Sequence, residues 1–186
     1  MYHPVEALAR WIAPILSFTA EEIWEHLPGE RVASVMLVQW YDALQRQDEE
    51  EAMGTDFWQC LIGVRAEVNR EMETQRAAGA LRGSLDASVT LYCDEDLMAT
   101  LGSLEDELRF VLITSEAALR PLGEAGDDAV ATEMQGLSLT VSAAGEEKCE
   151  RCWHRRPEVG SIEAHPTLCA RCVENIDGDG EQRRFA

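Results

Sequence analysis

Four cysteines near the end of the sequence carry its clearest chemistry: Cys149 and Cys152, a gap of sixteen residues, then Cys169 and Cys172. A C-x2-C pair forms a tight turn that aims two sulfurs at one point. Two such pairs suit a tetrahedral zinc ion with Zn–S distances of about 2.3 Å. The intervening segment has almost no apolar core, so the metal would be the core, contributing roughly 10–16 kcal/mol of apparent folding free energy. Two disulfides are the alternative, but no signal-peptide pattern opens the sequence and no run of about eighteen apolar residues could cross a bilayer. A reducing, cytoplasmic setting is the expectation. No open coordination position or carboxylate–histidine pair is evident, which points to one closed structural Zn2+ site and to no catalytic residue. His154 and His165 fall between the cysteine pairs and become spectators to a complete four-thiolate set. Cys60 and Cys93 lie inside apolar patterns and read as buried free thiols.

Charge separates this region from the rest. The chain of 186 residues has a formal net charge of -19, yet Lys148 to Ala186 holds seven basic and seven acidic residues, so the preceding body carries all of it. An acidic body repels polyanions at long range, which argues against broad nucleic-acid binding and confines any such contact to the tail. There the basic residues are all arginine except Lys148, the one lysine of the chain. Arginine presents a planar donor fork to phosphates and base edges and stacks on bases.

The elements that must position these residues follow from periodicity. Val5, Leu8, Ile12, Ile15 and Leu16 recur at helical spacing and predict an inward face, interrupted at Pro14. Thr19 and Glu22 form a capping-box pattern for a second helix that turns Ile23, Trp24 and Leu27 inward and stops at Pro28-Gly29. Ser34 to Trp40 reads as extended, and Gln47 to Glu51 as an exposed acidic linker. A long helix from about Asp56 to Ala80 buries Phe57, Cys60, Leu61, Val64, Val68 and Met72, and Gly79 and Gly83 end it. Alternation at Ala87, Val89, Leu91 and Cys93 predicts a strand. Asp94 caps a short helix burying Leu97, Leu101 and Leu104. Phe110 to Thr114 is expected as a strand, Glu116 to Asp128 as a mobile loop, and Leu137, Leu139 and Val141 as a last strand. The fold class is therefore mainly α with a small α+β unit before the metal module. Glycine-rich phosphate loops, G-x-S-x-G elbows and H-E-x-x-H motifs are missing, and His3 and His26 sit at a chain start and a helix end, where surface roles predominate.

Against this background, W-I-A-P-I-L-S-F-T-A-E-E-I-W from Trp11 to Trp24 looks like the end of the helical anticodon-binding domain of class I aminoacyl-tRNA synthetases for aliphatic amino acids. Val64 to Asn69, Gly83-Ser84-Leu85, D-E-L-R-F-V-L-I-T-S from Asp106 to Ser115, K-C-E-R-C-W-H from Lys148, C-A-R-C from Cys169 and G-D-G-E-Q-R-R-F-A from Gly178 resemble the bacterial isoleucyl-tRNA synthetase family. The similarity runs in order along essentially the whole chain. It implies the C-terminal part of a longer, ATP-using isoleucine–tRNA ligase. The parts would be 1–46, the end of the anticodon-binding domain; 52–145, a long helix with a small mixed α/β junction domain; and 146–186, a four-cysteine zinc module. The family's His-x-Gly-His and Lys-Met-Ser-Lys-Ser signatures are missing, so the fragment alone is expected to be inactive. Its partners would be the anticodon end of tRNA(Ile) and the rest of the synthetase, in a monomer with no membrane contact.

Carried over residue by residue, the resemblance puts zinc on Cys149, Cys152, Cys169 and Cys172. Trp153 follows a ligand directly, so its ring could stack on an unpaired base or pack over the metal site. Arg151 and Arg155 flank it within reach of phosphates or base edges. Arg183, Arg184 and Phe185 make a terminal basic–aromatic patch, read either as an RNA contact or as a disordered end. Two rival readings remain. A similar module closes the formamidopyrimidine-type DNA glycosylases, whose N-terminal proline nucleophile has no counterpart in Tyr2 or Pro4. A zinc-stabilised protein adaptor would suit the acidic body.

Overall fold

The computed structural model describes residues 2–44 and 53–185, so the expected linker at Gln47 to Glu51 lies outside the described residues. The chain divides into two compact units, Met1–Gly54 and Thr55–Ala186.

In the first unit, α1 (Tyr2–Ile12) and α2 (Ser17–His26) are separated at Pro14, and one 3₁₀ turn at Val35–Leu37 interrupts the stretch expected to be extended. The capping box does not form: α2 begins two residues before Thr19, and no side chain caps it. Ser17 instead donates its hydroxyl to the Ala13 carbonyl at 3.0 Å. The inward face also differs from the apolar spacing. Leu8, Ile15 and Leu16 are exposed, whereas Glu6, Ala7, Ala9 and Ala13 are buried. The reason is a charged aromatic centre. The Arg10 guanidinium lies over Trp24 and Tyr41, Arg31 lies over Trp24 and Tyr2, and both arginines face Glu6. Small alanines let the helices approach this centre, and a paired, stacked arginine needs no aliphatic lining to be buried. Trp24 is buried as expected, with Ile23 and Leu27 packed around it.

The second unit starts with α3 (Thr55–Ala77), which buries Leu61, Val64, Val68 and Met72. It ends at Gly79, whose φ of +78° is a left-handed conformation that glycine adopts without steric cost. Next come β1 (Ala87–Cys93), α4 (Glu95–Gly102), α5 (Leu108–Leu112), β2 (Glu116–Pro121), β3 (Val130–Ala131), β4 (Leu137–Ala143) and α6 (Ala170–Asp177). The sheet order is β2-β1-β4-β3, with β1 parallel to β2 and antiparallel to β4, which is antiparallel to β3. Register pairs Val89 with Val141 and Leu91 with Leu139, so the buried residues of both central strands share one face. Asp94 caps α4 as expected, accepting from the Leu97 amide at 3.0 Å.

Two expectations in this unit are corrected. The Phe110 to Thr114 segment belongs mainly to the short helix α5. Leu104, Leu108 and Leu112, all buried, repeat every four residues, a helical signal that the run of apolar residues around Phe110 obscures. Ile113, left-handed at φ 59°, ends that helix. The expected loop after Ser115 begins as strand β2. Its weak apolar pattern reflects an edge position, where pairing with β1 satisfies the backbone while most side chains stay out of the core.

Candidate metal centre and nucleic-acid interface

Each cysteine pair is shaped by its backbone. In the first, the Trp153 amide donates to the Cys149 carbonyl and the Cys149 amide donates to the His154 carbonyl, both at 2.9 Å. This tight closure puts Trp153 at φ 67°, an outlier for a bulky residue. In the second, Cys169 is the residue before α6, and the Cys172 amide donates to the Cys169 carbonyl at 2.9 Å.

The four Sγ atoms lie within 4.8 Å of one another, and Cys149, Cys169 and Cys172 are buried. Cys152 and Cys169 sulfurs are 3.6 Å apart, close to the ~3.8 Å edge of a tetrahedron with 2.3 Å Zn–S bonds and far beyond a disulfide bond of about 2.05 Å. All six cysteines are free. Apolar support is thin, with Val159 and Leu168 only partly buried against the sulfurs. The donor set and its geometry support one structural zinc.

Electrostatics differ among the sulfurs. Burial pushes the Cys149 thiol up, but amide bonds from Cys152, Cys169 and Arg151 outweigh it and bring the pKa down to about 6. Burial pushes Cys169 up to about 12. A metal at the centre would stabilise all four thiolates. Burial likewise raises the free thiols Cys60 and Cys93, the latter to about 11, which leaves both protonated and inert at neutral pH.

Neither histidine joins the cluster. His154 is buried, and its Nδ1 lies 3.2 Å from Arg109 Nη1. Arginine has no acceptor, so Nδ1 must accept and the ring is neutral. Burial, reinforced by Arg109, Arg171, Arg156 and Arg183, lowers its pKa to about 4. His165 is engaged with Asp177 at 2.6 Å.

The candidate RNA residues sort into different environments. Trp153 is 60% exposed, with the Lys148 ammonium 5.5 Å from its ring centre, so it presents a free aromatic face instead of packing over the sulfurs. Arg151 is exposed and sends one Nη to Cys172. Arg155 is committed to the protein: its Nε bonds Asp86 at 2.8 Å, its Nη1 bonds the Glu146 carbonyl, and its amide donates to the Ser115 hydroxyl at 2.6 Å. The terminal segment, one reading of which was a disordered end, is docked. The amides of Arg184 and Phe185 both donate to the Glu107 carboxylate at 2.7 Å, and Arg183 stacks on Phe110 at 4.0 Å. Arg109 and Arg171 also lie over Phe110, at 4.1 and 5.1 Å.

A family model for the anticodon-binding domain of tRNA ligase matches residues 1–91, and one for the zinc finger found in FPG and IleRS matches residues 146–175. The isoleucine–tRNA ligases of Pseudomonas paraeruginosa and of a Shewanella species are each 54% identical to this chain over 186 residues, and that of a Marinomonas species is 51% identical over 187. The chain is similar to isoleucine–tRNA ligases along its whole length. All of it aligns with these relatives, and it spans about a fifth of their length, 20% of each, in their C-terminal part.

The zinc-finger description is shared between FPG and IleRS and does not separate them, but the anticodon-binding match and the end-to-end identity to isoleucine–tRNA ligases do. The DNA-glycosylase alternative is not favoured. Among the described residues, no helix is long and apolar enough to cross a membrane.

Sequence reasoning passed over Asp86, Glu107, Phe110 and Ser115. Together they dock the cysteine module and the terminal segment onto the sheet unit. Each belongs to an element far away in sequence, and no local spacing could have marked it.

Proposed function

We propose that this chain is the tRNA-recognition part of an isoleucine–tRNA ligase, holding the anticodon end of tRNA(Ile) while ATP-dependent joining of isoleucine takes place in parts of the enzyme that it does not cover. The observation that carries this reading is the match of every part of the chain to isoleucine–tRNA ligases at about 54% identity. The fragment alone would neither bind ATP nor catalyse. The complete enzyme would act in the cytoplasm as a monomer, with the parts 1–46, 52–145 and 146–186 as its anticodon-domain end, junction domain and zinc module.

Cys149, Cys152, Cys169 and Cys172 would hold the zinc as a closed, structural tetrathiolate, with no step of chemistry routed through the metal. The exposed, backbone-fixed Trp153 would stack on an unpaired base, a contact worth about 1–3 kcal/mol. Lys148 and Arg151 would supply charge beside it. Arg155 would support this surface through Asp86, and Arg183, Arg184 and Phe185 would extend it along the docked terminal segment.

A competition titration at low, stated salt tests the reading, with the zinc-loaded chain offered isoleucine tRNA, a non-cognate tRNA and an abasic DNA duplex. Preference for the isoleucine tRNA is expected. Preference for the duplex would overturn the proposal in favour of a glycosylase-like role, and binding to none would remove independent RNA recognition from this part of the enzyme.

A further inference from the structure

Glu107 occupies the position just before α5, where a short polar or acidic side chain ordinarily accepts a free amide of its own helix. Its side chain makes no such cap. Its two oxygens instead accept the amides of Arg184 and Phe185, each at 2.7 Å, from 77 and 78 residues further along the chain. Phe110 lies three residues on, and so on the same side of α5, where its ring meets three guanidinium groups. Arg109 of α5 itself is 4.1 Å from the ring centre, Arg183 of the segment after α6 is at 4.0 Å, and Arg171 of α6 is at 5.1 Å. Three cations around one ring need anions beside them. Glu181 supplies one, accepting from Arg171 Nη1 at 3.0 Å and from Arg183 Nη2 at 3.1 Å. Residues 178–185 therefore run from the end of α6 back to α5. Glu174 and Asn175 accept the Asp179 and Glu181 amides at the helix they leave, and Glu107 holds them at the helix they reach.

The same two residues of α5 reach the first cysteine pair. The Phe110 and His154 rings are 5.8 Å apart, and Arg109 Nη1 is 3.2 Å from His154 Nδ1. His154 directly follows Trp153, and its carbonyl accepts the Cys149 amide at 2.9 Å. A continuous line of packed and bonded groups thus connects the Arg184 and Phe185 amides to the backbone that fixes the exposed indole.

We propose that residues 178–185 form a clasp, with Glu107 and Phe110 as positioning residues for RNA binding: they hold α6 and His154 against α5 so that Trp153 is presented in one direction. This rests on the RNA-recognition reading above and adds to it two residues outside the cysteine module that act through Trp153. Charge makes the proposal testable by sign. Removing a carboxylate from so acidic a chain should by its field alone favour a polyanion, whereas loss of the clasp should weaken binding.

The test compares the zinc-loaded chain with its Glu107→Ala, Phe110→Leu, Phe110→Tyr and Glu105→Gln variants by titration with isoleucine tRNA at low, stated salt. Elemental analysis reads zinc content, and hydrogen exchange reads the peptides holding Arg184 and Phe185 and those of β1. Glu105→Gln is the control: it removes an equal charge from an exposed side chain 3.8 Å from Arg184 and leaves the Glu107 carboxylate in place. At full zinc content and with β1 protected, Glu107→Ala should expose the two amides and weaken tRNA binding roughly three- to thirtyfold, the span of coupling through packed side chains. Phe110→Leu should weaken it similarly, Phe110→Tyr should bind like wild type, and Glu105→Gln should bind at least as well. Equal or tighter binding by Glu107→Ala with the amides exposed would overturn the proposal, as would amides that stay protected in that variant. Should Glu107→Ala lose protection in β1, equal binding by Phe110→Leu and Phe110→Tyr would overturn it. Wild-type chain that binds no tRNA would overturn the RNA-recognition reading itself, and the positioning role with it.

Discussion

Removing the metal should unfold the cysteine module and leave the sheet standing. In the module the apolar side chains beside the sulfurs are Val159 and Leu168, both partly buried. Fully buried, each would contribute about 1.5–3 kcal/mol, so together they fall well short of the roughly 10–16 kcal/mol that a structural zinc supplies. Helix α6 has eight residues and is too short to persist alone. By contrast, the sheet unit has its own fully buried core in Leu61, Leu91, Leu101, Leu104, Leu108, Leu112 and Leu139. Hydrogen exchange followed by mass spectrometry, before and after chelation under reducing conditions, reads the two regions separately. Peptides spanning Cys149 to Asp177 should lose protection, as should the Arg184 and Phe185 amides that depend on Glu107. Peptides in β1 and β4 should keep theirs. Cys152→Ser should reproduce the zinc-free pattern. Retained protection in the metal-free module would refute the idea that the metal is its core. Loss of protection in β1 would show that the contacts through Arg155, Ser115 and Arg109 make module and sheet one cooperative unit.

Three further outcomes are expected. Trp153→Ala should weaken tRNA binding by about 1–3 kcal/mol without changing zinc content, and Trp153→Gly, which relieves left-handed strain of roughly 1–2 kcal/mol, should bind RNA no better while holding zinc at least as well; titration and elemental analysis check both. Asp86→Ala should cost about 1–3 kcal/mol in denaturant unfolding, because it strips Arg155 of its carboxylate partner, while the zinc content stays the same. Burial raises the pKa of Glu6, but Tyr2, Arg10 and Arg31 outweigh it and hold the carboxyl below its usual 4.5. Its stabilising contribution is therefore present above that value and fades as pH falls through the lowered one. Thermal melts from neutral pH downward should show a steeper acid loss in wild type than in Glu6→Gln, and equal slopes would refute the assignment.

Elements with one dominant local rule were legible. Alternation marked β1 and β4, the 3.6-residue repeat marked α3, and Asp94 in front of an apolar turn marked the start of α4. Elements whose conformation depends on distant partners were not. Strand β2 looks like a loop because its backbone bonds lie across to β1, and α5 looks like a strand because Phe110 and Val111 fill the gaps in its leucine repeat. In α1 the apolar spacing was right only in part: Ile12 packs against the core and Val5 is half-buried, but Leu8 is exposed and Glu6, Ala7 and Ala9 are buried beside two half-buried arginines stacked on Trp24.

The metal centre lies at the legible extreme. Cysteine type and two-residue spacing point to it, because each C-x2-C turn closes on itself and four thiolates so placed suit a tetrahedral zinc. The sequence also placed the whole acidic excess ahead of the tail, where seven basic residues balance seven acidic ones, since formal charge is additive along a chain. Tertiary structure alone decided what those residues do. Arg155 is spent on Asp86, Arg171 bonds Glu181, Arg151 reaches across to the Cys172 sulfur, Arg183 rests on Phe110, and Trp153 is left facing solvent. A guanidinium's role is set by whichever partner folding brings within about 3 Å of it, and that partner can lie anywhere in the chain.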